Sequence, residues 1–269
     1  MGDGEALGAA WGSDEVVEVF DTDGYSDRGE EAALGAVAAW CRGRVVDIAV
    51  GGGRTTGLLS RHAASYVGID IAEGMVTLAR DRFPGLDLRV GDARDLAGLE
   101  SGASDLVVFS FNGIDSLDHE DRRQAMRAMR RVVAPSGRVV FSTFSIDGVS
   151  FDERPWTLRG FRTGRAFVHL ALYARHPLSW LRSCRNFRRS RHDSEDGAGW
   201  ARRPMRALDF QFVAHFATVG STVALLRSEG LEPVAAFSDT GGPVVLGEEH
   251  SDADYVHLVC RPTPRPAAS

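Results

Sequence analysis

The chain has 269 residues, enough for one large α/β domain with an insertion or for two small domains. Its 43% hydrophobic and 25% charged content is ordinary for a globular protein, and no apolar run approaches the ~20 residues that span a bilayer. A formal net charge of −6 argues against a general polyanion binder, and three scattered cysteines with no C-x-x-C pair argue against a disulfide framework or a zinc site.

The opening MGDGEALGAA carries neither the basic nor the apolar region of a secretory signal, so a cytoplasmic location is expected. Gly24 to Leu34, GYSDRGEEAAL, leads into a first helix. Val45 to Leu59, VVDIAVGGGRTTGLL, reads as a buried strand with one acid, a glycine-rich turn and a helix start. Glycines at 51, 52 and 53 permit positive φ and close approach of a ligand, and the helix beginning near Thr55 aims free N–H groups at an anion. That combination is a nucleotide-cofactor cradle, although Thr56 stands where the dinucleotide fingerprint wants Gly or Ala.

Regular strands follow. Tyr66 to Met75, YVGIDIAEGM, ends a second strand in Asp70, placed to accept from ribose hydroxyls. Leu86 to Leu96 holds a third strand ending at Gly91-Asp92-Ala93, and Ser104 to Leu117 holds a fourth followed by Phe111-Asn112-Gly113-Ile114-Asp115. Arg130 to Ser145 closes a helix, turns through Pro135 and Gly137, and forms a fifth strand. From 151 to 206 the composition changes to thirteen arginines against five acids. A connection this long between sheet elements should carry its own structure, read here as a mainly helical cap. The sheet resumes near Leu208 with a Ser/Thr-capped helix that ends at Gly230, a strand, and a last strand from Tyr255 to Pro262.

This succession resembles the class I S-adenosylmethionine (SAM)-dependent methyltransferases, closely over residues 20 to 146 and in outline beyond. GYSDRGEEAAL, GGGRTTGLL, YVGID and VVFSFNGID together resemble a bacterial subgroup acting on small molecules. The resemblance implies an α/β fold: a Rossmann-like, seven-stranded doubly wound sheet whose last two strands make an antiparallel edge, with a helical cap. The implied domains are a SAM-binding core (1–150), a basic cap or lid (151–207) and a C-terminal completion of the core sheet (208–269). The cofactor is SAM, with S-adenosylhomocysteine (SAH) as product. By the same resemblance Asp47, Ala49, Gly51 and Gly53 lie against the methionine part, Asp70 holds the ribose diol, and Ile71 and Met75 flank the adenine. Asp92 and Ala93 meet its amine and ring edge, Phe111 lies at the cofactor, and Tyr25 and Arg28 close over it. Arg28 suits the SAM carboxylate because a guanidinium fork matches that group bidentately. Two departures stand out: related sequences carry Gly where this chain has Ala49, and commonly His-Asn where it has Phe144-Ser145.

Candidate catalytic residues are Asn112 and Asp115 after the fourth strand, at the carboxyl edge where open α/β sheets bind ligands, and His215 in the aromatic run DFQFVAHF. His215 reads as an acceptor-binding residue or base, or as a satisfied semi-buried histidine. His119 reads as an exposed helix start, and His169 as structural. Phe144, Trp156, Phe210 and Phe212 read as pocket lining or simply as core. The expected activity is methyl transfer to N, O or C of a small-molecule acceptor, in natural-product biosynthesis. Two alternatives are a SAM-binding protein promoting cyclisation or rearrangement without methyl transfer, and an RNA methyltransferase using the basic segment; nucleic acid is disfavoured by the overall acidity. A homo-oligomer is open, and no membrane partner is expected.

Overall fold

The computed structural model describes residues 26–156 and 177–264. Tyr25, His169 and the middle of the arginine-rich segment lie outside the described residues. The elements in chain order are α1 (Arg28–Ala36), β1 (Arg44–Ile48), α2 (Thr56–Ser60), β2 (Ser65–Asp70), α3 (Glu73–Arg82), β3 (Asp87–Val90), β4 (Ser104–Phe109), α4 (His119–Val132) and β5 (Val133–Ser145). After the insertion begins come α5 (Pro177–Ser190), β6 (Glu195–Gly197), β7 (Trp200–Pro204), β8 (Val213–Ala217), α6 (Val219–Ser228), β9 (Leu231–Ser238) and β10 (Tyr255–Pro262).

Strands β3, β2, β1, β4 and β5 lie side by side in that order, all parallel. β10 runs antiparallel along the far edge of β5, and β9 antiparallel along β10. The order reverses between β1 and β4, which opens a crevice at their carboxyl ends. Alternation along the strands divides the apolar residues between two faces. Val46, Ile48, Val107, Phe109 and Phe141 pack under Met126 and Met129 of α4, while Val45, Leu106, Val108 and Val140 pack against Ala33 of α1 and Val76 of α3.

Helix starts follow local capping chemistry. Asp27 accepts from the Glu30 amide at 2.8 Å, Asp118 from the Asp121 amide at 2.8 Å, and Thr218 from the Ser221 amide at 3.0 Å. These caps place the first turns of α1 and α4 at the carboxyl edge of the sheet. Asp27 is pinned further by the Tyr255 hydroxyl and by His257 Nε2, each at 3.0 Å, so α1 is fastened to β10.

The sheet has ten strands, where the sequence suggested seven. The three additional ones are β6, β7 and β8. β8 runs parallel to the end of β5 through Phe144↔Phe216 and Ser145↔Ala217, on the edge opposite β10 and beyond the end of β4. β7 pairs antiparallel with β8, and β6 with β7. In its described part, therefore, the arginine-rich segment is mixed: one helix, then a hairpin that joins the main sheet. His215, in β8, sits opposite Arg202 of that hairpin.

Candidate functional site

The turn between β1 and α2 is built for backbone approach. Gly51 has φ +53° with open space where a side chain would project, and Gly53 has φ +92°. Ala49 is forced into the same left-handed region at φ +55°, a conformation that glycine tolerates and alanine does not favour. Asp70, nearly buried at the end of β2, ties this turn to the next. Its Oδ2 accepts from the Gly51 amide and its Oδ1 from the Ala72 amide, both at 2.9 Å. Burial raises its pKa against these backbone donors.

Asp47 is fully buried beneath the turn. Its Oδ2 accepts from the Thr55 and Tyr66 hydroxyls, each at 2.8 Å, while its Oδ1 has no hydrogen-bond partner among the described residues. Burial pushes its pKa up to about 6 despite the Tyr66 and Thr55 hydrogen bonds. Asn112 Oδ1 is likewise buried without a partner, and Phe111 and Asn112 are consecutive left-handed residues at φ +52° and +57°. The Asn112 amide donates to Ser142 Oγ at 2.7 Å, holding this kink at the end of β4 against β5. A glycine cradle with two orphaned buried oxygens at the crevice suits a polar cofactor with amide, amine and hydroxyl donors.

Sequence reading missed Arg54. Its guanidinium forks onto Glu30 of α1 at 2.6 and 2.7 Å, reaches Ser110 Oγ at 3.1 Å, and lies 4.8 Å from the centre of the Phe111 ring. Arg28, in contrast, is exposed in the first turn of α1, with its backbone against Gly241. The guanidinium at the switch point therefore belongs to Arg54, and Arg28 is not positioned there. The available signal was an arginine inside the glycine turn itself.

At the outer end of the crevice Ile71, Asp92 and Ala93 are partly buried, and Met75 is buried. The Gly91 amide donates to the Asp70 carbonyl at 2.9 Å, which brings Asp92 beside the end of β2. Asp92 is gripped by Arg94, through Nε at 2.9 and 3.0 Å and Nη2 at 2.6 Å. Burial works to raise the Asp92 pKa, but the Arg94 hydrogen bonds and charge outweigh it and hold the carboxyl below its usual value.

Two expected catalytic residues are placed differently. Asp115 faces inward: its Oδ1 accepts from Arg122 and from Thr143 Oγ1, and its Oδ2 from the Phe144 amide. Arg122 is fully buried and Asp115 is 1% exposed, so this carboxylate has no face toward an acceptor and braces β5 against α4. Burial raises the Asp115 pKa to about 6 against the Arg122 charge. His215 is also 1% exposed, so it cannot itself reach an acceptor in this conformation. Its Nε2 lies 3.2 Å from His119 Nδ1, and Trp200 stacks on both rings, at 4.2 Å from His119 and 5.3 Å from His215. Of the two imidazoles, His119 is the partly exposed one; it begins α4, as read from the sequence, but is half-covered by the stacked Trp200 rather than fully exposed.

Trp156 is exposed and stacks edgewise on Phe187, which meets Phe210 in turn, so these aromatics belong to the insertion. Phe144 packs on Phe216 and Tyr255 in the sheet. Among the described residues there is no cluster of His, Cys, Asp and Glu suited to a metal, and no helix long and apolar enough to cross a membrane.

Residues 45–137 match the family model described as a methyltransferase domain. A demethylmenaquinone methyltransferase from Clavibacter sepedonicus is 29% identical over 206 residues, covering 75% of this chain and 78% of that enzyme. The CcbJ methyltransferase of Streptomyces caelestis superposes over 98% of this chain and 100% of its own, with a TM-score of 0.60 at 16% identity. SAM-bound CalS10, an amino pentose methyltransferase of Micromonospora echinaspora, covers 88% of this chain and 92% of its own, with a TM-score of 0.53 at 16% identity. With the strand order, the glycine turn and the acids at the ends of β2 and β3, these similarities show a methyltransferase domain over residues 45–137, set in the fold that solved SAM-dependent methyltransferases share.

Proposed function

We infer that this methyltransferase moves the SAM methyl group to N, O or C of a small-molecule acceptor in natural-product biosynthesis. The observation that carries the reading is the packing of β7 and β8, which bring Trp200 and His215 onto His119 at the start of α4; in this reading the ring cluster walls the acceptor side of the crevice. A walled crevice favours a small acceptor over a polymer. Among the described residues Arg202 and Arg203 pair with Glu195 and Asp196, and Arg182 and Arg206 with Asp209 and Glu153, which weakens the RNA reading, while Arg188, Arg189 and Arg191 are exposed with no ion pair among the described residues. Natural-product enzymes such as CalS10, described as involved in calicheamicin biosynthesis, share the fold and support the assignment of class.

When bound, SAM supplies an electrophilic methyl on a sulfonium, and displacement from it needs alignment and exclusion of water more than covalent help. In this reading Asp70 takes the ribose hydroxyls, Asp92 the adenine amine, and Ile71, Met75 and Ala93 the purine. The backbone of 49–53, Asp47 and the Glu30–Arg54 pair receive the amino-acid end, the cation for its carboxylate and the acids for its amine. Phe111 and Asn112 then face the methyl, with Asn112 Oδ1 free to hold an acceptor N–H or O–H. His119, and not His215, is the imidazole that meets the acceptor, with His215 fixing its orientation. The domain division into core, lid and C-terminal completion is retained, with β8 added to the lid's hairpin.

The test is native mass spectrometry of the purified protein for bound SAM or SAH, followed by SAH-release assays with hydroxyquinone, amino-sugar and carboxylic-acid acceptors. Acceptor-dependent SAH release supports the reading. An altered acceptor formed with the SAM methyl retained supports the cyclisation alternative, and SAH release only with RNA overturns the small-molecule assignment.

A further inference from the structure

Arg94 bridges two carboxylates that belong to different parts of the fold. Its Nε and Nη2 hold Asp92, just beyond β3, and its Nη1 donates to Asp121 Oδ2 at 2.8 Å, in the first turn of α4. Its own backbone amide also donates to Asp92 Oδ1 at 2.9 Å. A carboxylate offers about four acceptor sites, and three donors of one residue fill most of them, leaving room for about one more donor. Arg94 and Asp92 are partly buried, at 22% and 27% side-chain exposure, so the pair is shielded yet reachable. Asp92 itself sits in the loop that the Gly91 amide ties to the Asp70 carbonyl, at the end of β2.

We propose that Arg94 is a positioning residue that makes the site selective for a 6-amino purine. Anchored on Asp121, it fixes the Asp92 carboxylate in one rotamer and keeps it ionised, so that the single open acceptor meets an amine and rejects a carbonyl. This rests on the reading of Asp92 as the partner of the adenine amine. Neutral hypoxanthine presents an oxygen at that position, and an ionised carboxylate facing it is left unpaired and repelled. Arg94 lowers the proton affinity of Asp92, while Asp118 and Asp92 raise that of Asp121, the carboxylate on which Arg94 is anchored.

The test compares SAH with S-inosyl-L-homocysteine by titration calorimetry on wild type, Asp92→Ala, Arg94→Met and Arg94→Lys, with thermal melts confirming that each variant is folded. Wild type should prefer SAH by about tenfold or more, as expected for one charge-assisted hydrogen bond. Arg94→Met should lose most of that preference and shift the acid limb of SAH binding to higher pH, and Arg94→Lys should restore part of both. If Asp92→Ala loses the preference while Arg94→Met keeps it and its pH profile, the Arg94 proposal falls and the adenine assignment stands. If Asp92→Ala keeps the preference, the adenine assignment itself is wrong. Tighter SAH binding by Arg94→Met would mean that Arg94 competes with the purine, which also overturns the proposal.

Discussion

His119 Nδ1 lies 3.2 Å from His215 Nε2, so a single proton sits between the two rings and the tautomer of one sets that of the other. Burial, followed by the charges of Arg122, His119 and Arg202, depresses the His215 pKa to about 2, and burial with Arg122 also lowers that of His119. A histidine held neutral in the native state but protonated below about 6.5 when unfolded stabilises the fold fully above that pH and loses its contribution as pH falls. At pH 5 the loss from His215 is about 2 kcal/mol, at about 1.4 kcal/mol per pH unit. Urea unfolding of wild type and His215→Phe at pH 7.5 and 5.0 measures it as a difference. Asp47 and Asp115, whose raised pKa values act in the opposite sense, are common to both proteins and cancel. Parallel pH slopes in the two proteins would refute the assignment.

Asp70 carries two tasks, and substitution should separate them. Its oxygens accept from the Gly51 and Ala72 amides, so the residue shapes the glycine turn before any ribose arrives. Asp70→Ala should weaken SAH binding by about 1.5–3 kcal/mol, the range for hydrogen bonds to a charged group. Asp70→Asn should cost at least as much stability as Asp70→Ala, because an amide NH2 would face a backbone N–H. Calorimetry with SAH and thermal melts of both variants read the two effects, and unchanged SAH affinity in Asp70→Ala would remove this residue from the cofactor site.

The parts of the fold that were legible were those written in local pattern. Apolar runs at β1, β2, β4 and β5, each closed by Gly or Asp, gave the parallel sheet and its crevice because strand burial and turn chemistry depend on adjacent residues. The hairpin at β6 and β7 was not legible, since Glu195-Asp196-Gly197 and Trp200-Ala201-Arg202-Arg203 read as a polar turn and their pairing depends on β8 and the distant end of β5. Asp115 was misread because its partner is seven residues on, in a helix that looks solvated. A sharper signal existed: Arg122, Met126 and Met129 fall at i, i+4 and i+7, and a charge on an apolar stripe asks for a buried counter-charge. Arg54 was hidden for a different reason, its acid partner Glu30 being 24 residues upstream on a helix that sequence alone does not dock.

Ala49 stands in the left-handed region at φ +55°, where a Cβ costs about 1–2 kcal/mol relative to glycine. Part of that gain is returned because glycine loses about 0.5–1 kcal/mol more backbone entropy on folding. Ala49→Gly should therefore stabilise the protein slightly, by about 0.5 kcal/mol, and also tighten SAH binding by baring the turn. Differential scanning calorimetry with and without SAH checks both. A lower Tm together with weaker SAH binding would show that the methyl group contributes contacts that outweigh its strain.

The Asp115–Arg122 pair separates a bracing role from a catalytic one. Both side chains are essentially excluded from water, and the carboxylate is satisfied by Arg122, Thr143 and the Phe144 amide. Removing either partner strands the other charge in the interior, which costs about 3–5 kcal/mol, whereas removing both leaves no orphaned charge. Asp115→Ala and Arg122→Met should each lose stability on that scale, and the double variant should be less destabilised than the sum of the singles. SAH affinity, measured well below the melting temperature, should change little, because neither residue reaches the crevice. If Asp115→Asn keeps its stability but loses acceptor-dependent SAH release, the carboxylate acts in the reaction and the bracing assignment fails. Additive losses in the double variant would show instead that the two charges are not energetically coupled.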